Sequence, residues 1–334
     1  MKIFMAILAT EKVLTLDYWK TASHITVGDY VFDRHGNPVK VTSVQQYMGS
    51  ECHEVEFNDL LRVSGDQRLG FMLETPKYRT RTYTYKGKLK FRRPLKHFDV
   101  AALQHLELLD KRQRLIFSVP TAEPLKLPHQ DLPVPPFVFG FWFFARQTNK
   151  KMTPAKGLGD FTREKFKECG YKLKSHSLSE SGEHEFSTQP TIESQFVPHI
   201  PTKLTNNYLL AAPEQRLELL RGILSSKPRQ YSVSRDRFNF TCRQLDTITR
   251  VQYLAESLGC RTRMLYDEIK GDYRLFFKSR LPLLPHQVSP PIKVHQSRRY
   301  IRNILSIQPQ MCVHIETTSQ DSTILVGEGF IPCR

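Results

Sequence analysis

Two helix-prone segments, each with one central glycine, most tightly limit what this chain can fold into. The first, Phe137-Val138-Phe139-Gly140-Phe141-Trp142-Phe143-Phe144, is apolar on every side, so as a helix it is buried all round. The second runs from Pro213 to Leu224 around Gly222, with proline in the first helical turn, where a missing N–H costs nothing. Each is followed by a polar, strand-prone stretch, then by a helix closed by glycine and a basic strand. The closing helices are Asp160 to Cys169 before Gly170, with Asp160 as N-cap, and Gln244 to Leu258 before Gly259. In the latter, Leu245, Ile248, Val251, Leu254 and Leu258 share one face. The basic strands are Tyr171-Lys172-Leu173-Lys174 and Arg261-Thr262-Arg263-Met264. An internal duplication of roughly 85 residues explains the parallel. Small residues at matching positions let the two helices pack closely, which makes a pseudo-twofold unit with its strands as a paired saddle.

The ends of the chain read differently. Val13–Leu16, Tyr30–Phe32, Val39–Val44 and Glu54–Phe57 are short β-branched or aromatic runs. Gly28-Asp29, His35-Gly36-Asn37-Pro38 and Asn58-Asp59 separate them as turns. The tail from Met311 to Phe330 returns to β character. Two proline-rich joints, Leu132–Pro136 and Pro282–Pro291, flank the duplicated region. The expected fold is therefore α+β. A β domain is built from residues 1–130 and 292–334, and a duplicated α/β domain from 131–291, with pseudo-repeats near 137–205 and 206–285.

Charge narrows the partners. The 49 Lys and Arg outnumber the 33 Asp and Glu, which leaves a net charge of +16. Such a field favours polyanions, of which nucleic acid is the commonest. No run is long and apolar enough for a membrane span, and the apolar start is too short for a signal peptide, so the expectation is a soluble, cytoplasmic monomer. The six cysteines are scattered without C-x-x-C pairing and read as reduced, packed thiols. The twelve histidines form no ligand constellation, and no cofactor or metal is expected.

Several motifs carry a resemblance. Val27-Gly28-Asp29-Tyr30-Val31-Phe32-Asp33 resembles an element of intein splicing (Hint) domains, and Ile324–Pro332 resembles the last intein strand. Glu123–Gly140 and Tyr208–Gly222 are similar to the segments that enter the two LAGLIDADG helices of inteins bearing a homing endonuclease. The resemblance implies a Hint domain made from both chain ends with a LAGLIDADG saddle inserted.

It also implies chemistry that the residues do not supply. Splicing needs a first Cys or Ser, a Thr-x-x-His pair and a terminal His-Asn. Those places fall at Ala6, at Ser64-Gly65-Asp66-Gln67 and at Cys333-Arg334, and Gln67 cannot titrate as an acid or base. A LAGLIDADG nuclease needs one carboxylate at the end of each packed helix to hold a hard divalent cation. Those places fall at Ala145 and Lys227. The expectation is a protein that is not an enzyme and that holds nucleic acid without cutting it.

The sharpest contact signal is basic and interleaved with aromatics. It comprises Lys77, Arg79, Arg81, Tyr83, Tyr85, Lys86, Lys88, Lys90, Arg92, Arg93 and Lys96. Tyr83–Tyr85 and Lys88–Phe91 read as a hairpin around Lys86-Gly87, a basic ribbon that can lie on a phosphate backbone. The saddle adds Arg229, Tyr231, Arg235 and Arg237 on one alternating strand, with Arg243 after it. Arg298-Arg299-Tyr300-Ile301-Arg302 is a further basic candidate. The partner is duplex DNA or a folded RNA such as ribosomal RNA. The rivals are a metal-dependent endonuclease with displaced acids such as Asp160 or Asp236, and a scaffold that docks on a protein or ribosome.

Overall fold

The computed structural model describes residues 6–74, 84–85, 88–89, 95–145, 151–152, 154–176, 185–188, 204–226, 231–232, 237–279, 281–285, 287 and 298–334. The fold is α+β and divides into two compact units, Met1–Leu125 with Val294–Arg334, and Lys126–Lys293. Among the described residues, no helix is long and apolar enough to cross a membrane.

The first unit interleaves the two ends of the chain. Ala6–Leu8 pairs with Met311–Thr317 on one side and with Arg62–Asp66 on the other. Pro38–Met48 bridges Tyr30–Phe32 to Met311–Thr317, and Cys52–Phe57 bridges Arg62–Asp66 to Arg298–Ile307. The sheet then returns on itself. Glu74 donates to Ser118 O at 2.9 Å and Ser118 donates to Glu74 O at 3.1 Å, which joins the Ser118–Pro120 strand to the end of Gly70–Leu73. Pairing of this kind removes free edges that would otherwise template aggregation. Val31, Phe32, Val41, Val55, Phe57, Val63, Phe71 and Leu73 fill the interior.

Local chemistry sets the turns. Asp33 is buried and accepts the N–H of His35 at 2.9 Å and of Asn37 at 2.8 Å, an Asx-type turn. Gly36 has φ +72°, and a Cβ there would lie 2.2 Å from Pro124 O. Conformation and space both require glycine at that corner.

The structure corrects the reading of Arg298-Arg299 as a nucleic-acid contact. Arg298 and Arg299 are 2% and 1% exposed, each against a buried acid. Arg298 pairs with Glu74, and Arg299 Nε lies 3.0 Å from Asp59 Oδ2. A charge tolerates such burial only with a partner. Arg302 is exposed and sits 3.1 Å from Glu56 Oε1.

In the second unit, the helices Pro136–Ala145 and Pro213–Ser225 pack backbone to backbone at Gly140 and Gly222. Behind one lies the helix Gly159–Glu168 with a three-stranded sheet of Lys151–Met152, Glu185–Thr188 and Leu173–His176. Behind the other lies the helix Leu245–Ser257 with a four-stranded antiparallel sheet. Two boundary expectations shift. Asp160 lies inside the first turn of its helix and Leu158 holds the cap position, because the turn from Ala155 to Leu158 starts the helix sooner. Leu245 is 50% exposed at the first position of its helix, while Ile248, Val251, Leu254 and Leu258 are buried. Gly170 (φ +85°) and Gly259 (φ +78°) close their helices.

One buried cation in this unit is invisible to sequence patterning. Arg216 is fully buried, and it donates from Nε to Ala211 O at 2.8 Å and from Nη1 to Ser257 O at 2.7 Å. It ties the start of one helix to the end of another. Burial pulls its pKa down to about 10.

Candidate nucleic-acid interface

The four-stranded sheet of the second unit sorts its side chains by alternation. Its strands are Tyr231–Ser232, Arg237–Cys242, Asp272–Lys278 and Arg261–Asp267, in that order with the last two exchanged from chain order. Residues directly opposite one another share a face. Phe238 faces Phe277, Phe240 faces Leu275 and Thr262 faces Phe277, and all are buried on the helix side. The intervening residues form the open face. Arg237, Asn239 and Thr241 lie on one strand, Arg274, Phe276 and Lys278 on the next, and Arg261, Arg263 and Leu265 on the third.

This face is strongly cationic. Among the described residues, Arg237, Arg243, Arg261, Arg263, Arg274 and Lys278 meet two acids on it, Asp267 and Asp272. Asp267 pairs with Arg274, and Asp272 lies 3.4 Å from Arg243 Nε. Arg263 is exposed, and the Arg237 guanidinium carbon stands 4.3 Å from the centre of the Phe276 ring. Sequence patterning did not single out Arg274 and Lys278, and took Arg261 and Arg263 only as a basic strand. The signal was present in their alternation, Arg261-x-Arg263 against Arg274-x-x-x-Lys278, once the two strands are known to pair.

The expected saddle strand is corrected in one respect. Tyr231 and Arg237 belong to two antiparallel strands, with Tyr231 opposite Phe238 and Ser232 opposite Arg237. Tyr231 therefore shares a face with Phe238 and not with Arg237, so the expected single alternating strand does not define one face. Arg229 and Arg235 lie outside the described residues. Of the basic ribbon, Thr84–Tyr85 pairs antiparallel with Lys88–Leu89, with Tyr85 opposite Lys88. Lys77, Arg79, Arg81, Tyr83, Lys86, Lys90, Arg92 and Arg93 lie outside the described residues. Lys96 is exposed at the start of the strand Lys96–Asp99.

No protein-family model matches the chain, and no curated protein does. Solved structures do match it, among them inteins and a homing endonuclease. The MchDnaB-1 intein is 25% identical over 20% of this chain and 53% of its own, with a TM-score of 0.20. The chain thus spans about half the length of that intein, 53%. The gp41-1 intein is 17% identical over 34% of this chain and 73% of its own, with a TM-score of 0.22. Variants of the homing endonuclease I-DmoI are 12% identical over 44% of this chain and 84% of theirs, with a TM-score of 0.32. I-DmoI in complex with its target DNA is 11% identical over 44% of this chain and 87% of its own, with a TM-score of 0.31. The neighbours are inteins and a LAGLIDADG homing endonuclease. They are the two kinds of protein that the motifs of the sequence resemble.

The positions singled out as intein-like and endonuclease-like have definite surroundings. Ala6 stands opposite His314 in the sheet and packs with Leu8, Cys52 and Cys312 in a small buried cluster. Gln67 is exposed and donates its backbone N–H to Glu51 O at 3.2 Å. Beside it, Asp66 is buried and accepts from Tyr47 Oη at 2.8 Å and from Arg68 Nε and Nη2 at 2.9 and 2.7 Å. Burial, then the bond to Asp66, holds the Tyr47 hydroxyl above its usual range. Arg334 exchanges backbone hydrogen bonds with Gly70 at 2.8 and 2.9 Å. Ala145 is buried at the end of its helix, and Ser225 and Ser226 are buried at the end of the other. Lys227 lies outside the described residues, as does Asp236. Asp160 has a side chain 86% exposed and pairs with Arg163 at 3.2 Å. Among the described residues, no group of three or more His, Cys, Asp or Glu is placed to hold a metal ion.

Proposed function

We propose that the chain is a nucleic-acid-binding protein that neither splices nor cuts, and that the open face of its four-stranded sheet is the binding surface. The observation that carries this is the six-to-two excess of cations over acids among the described residues on one face of the sheet. A flat array of guanidinium and ammonium groups matches the repeat of a phosphate backbone, and each contact releases condensed counterions. The overall charge of +16 steers polyanions in the same direction. The absence of chemistry rests on the residue types at the resembling positions. Ala6, Gln67 and Ala145 offer no nucleophile, titratable base or carboxylate. Duplex DNA and folded RNA are both ligands of this reading.

The test is electrophoretic mobility shift with a labelled duplex DNA and a folded RNA, using the full chain and its Arg263→Glu/Lys278→Glu variant. Binding by the parent and its loss in the variant are expected. Incubation of plasmid and RNA with magnesium or manganese should leave both intact. Cleavage would restore the endonuclease reading with a displaced acid. A stable complex with a protein that survives nuclease treatment, with no nucleic-acid binding, would establish the docking scaffold instead.

A further inference from the structure

The open face carries an aromatic residue that a phosphate grip does not need. Phe276 sits on the middle of its three long strands, opposite Asn239 on one side and Arg263 on the other. Its neighbours Leu275 and Phe277 are buried under the helix, whereas Phe276 points to the cationic side and is only half-buried. The Arg237 guanidinium lies over the ring at 4.3 Å, and Asn239 Oδ1 is buried with no hydrogen-bond partner among the described residues. A phenyl ring at the centre of a charged, solvent-facing sheet exposes apolar area without contributing charge.

We propose that Phe276 is a stacking platform for an unpaired base, so that this sheet takes a single-stranded stretch of nucleic acid. The inference rests on the nucleic-acid reading above and specifies its substrate. In a duplex the base faces are stacked on one another and only edges and phosphates reach a protein surface. An aromatic face gains nothing from them. A single strand offers its base planes, and stacking a base on an aromatic ring is a stronger contact than an exposed cation over that ring. A base arriving on Phe276 therefore displaces the Arg237 guanidinium, which is free to take the adjoining phosphate. Asn239 and Arg263 then flank the base, one with an amide and one with a planar cation.

Fluorescence anisotropy with three probes tests this on the full chain. The probes are an oligothymidylate and an oligouridylate of about 12 nucleotides, and the former annealed to its complement. Phe276→Ala should weaken both single strands about tenfold or more, Phe276→Tyr should restore binding, and duplex affinity should stay the same. The DNA and RNA arms decide which sugar the site prefers. A Phe276→Trp variant adds a readout that does not depend on losing the ring, since its fluorescence should be quenched by single strands and not by duplex. Equal effects of Phe276→Ala on duplex and single strands, or no effect on either, would overturn the inference and leave nucleic-acid binding standing. No binding of any probe by the parent chain would remove the underlying reading itself.

Discussion

Gly140 and Gly222 bring two helix backbones into contact: a Cβ on Gly140 would lie 2.4 Å from Leu219 O, and one on Gly222 would lie 2.1 Å from Phe137 O. Alanine is the better helix former by about 1 kcal/mol, so propensity alone predicts a gain from replacing either glycine. The crossing reverses the sign. Gly222→Ala forces the helices apart along a buried seam and should destabilise the unit by about 2–3 kcal/mol, read from the denaturant midpoint of the full chain. Gly170→Ala is the control, because a Cβ there meets nothing within 4 Å and only its φ of +85° is strained. It should cost about 1 kcal/mol. Equal losses at Gly170 and Gly222 would contradict the close crossing.

Alkaline pH should loosen the protein before any acid effect of similar size. Cys52 Sγ and Cys312 Sγ lie 3.9 Å apart in a buried pocket. Burial, then the neighbouring Cys52, pushes the Cys312 thiol up to about 12 from an ordinary 9.0. Burial likewise pushes the Tyr208 hydroxyl up to about 12, where it donates to Val134 O at 2.9 Å. Both groups stay neutral in the folded chain at a pH where the unfolded chain ionises. Their stabilising contribution is complete below pH 9.0 and drains away as the pH climbs towards about 12. Thermal melts across that window should show a falling Tm, and Cys312→Ala should flatten the fall. A Tm unchanged over the window would show that neither group is held neutral.

Much of this architecture can be read from residue order, and the parts that cannot have physical reasons. The glycine-centred helices, the strands Tyr30–Phe32 and Cys52–Phe57 and the glycine helix stops follow from local periodicity and turn chemistry, which the tertiary structure does not override. Pairing between strands hundreds of residues apart is not local. Ala6 opposite His314 and Arg299 beside Asp59 depend on it, so sequence patterning took Arg299 for a surface cation. The same limit hid the cationic face. Arg263 and Lys278 look like separate basic residues until the register of the hairpin aligns their strands on one side. Runs of like charge are conspicuous in a sequence, whereas cations gathered by a sheet are not.

The Arg299–Asp59 pair gives a sharp energetic test. Both residues are nearly inaccessible, at 1% and 4% exposure. Arg299→Ala leaves a buried carboxylate without its partner and should cost about 3–5 kcal/mol. Replacing both residues by apolar side chains of similar volume removes the stranded charge and should recover much of that loss. A double-mutant cycle on urea unfolding measures the difference. If Arg299→Ala falls within about 0.5 kcal/mol of the parent, as surface substitutions do, the arginine is not buried as described.

Salt dependence will show whether the sheet face, rather than charge spread over the whole surface, carries binding. Two of the six cations on the described part of that face sit against acids, Arg243 by Asp272 and Arg274 by Asp267, and the other four, Arg237, Arg261, Arg263 and Lys278, are the cations that a phosphate backbone would engage on this reading. Each neutralised phosphate contributes about −0.9 to the slope of log K against log salt on duplex DNA and about −0.7 on single strands, so four contacts give a slope of about −3 to −4. Arg263→Glu with Lys278→Glu should shallow that slope by about two contacts' worth as well as weaken binding. Arg302→Glu is the control, with half the charge change. It lies in the other unit, is exposed, and is already engaged with Glu56 at 3.1 Å, so its reversal should leave the slope where it was. If Arg302→Glu changes the slope by about half as much as the double reversal, in proportion to its charge change, binding follows net charge and the sheet is not the site. If Arg263→Glu/Lys278→Glu leaves the slope untouched while reversal of Arg79, Arg81, Lys88, Lys90 and Arg92 collapses it, the basic ribbon between Lys77 and Lys96 is the phosphate grip.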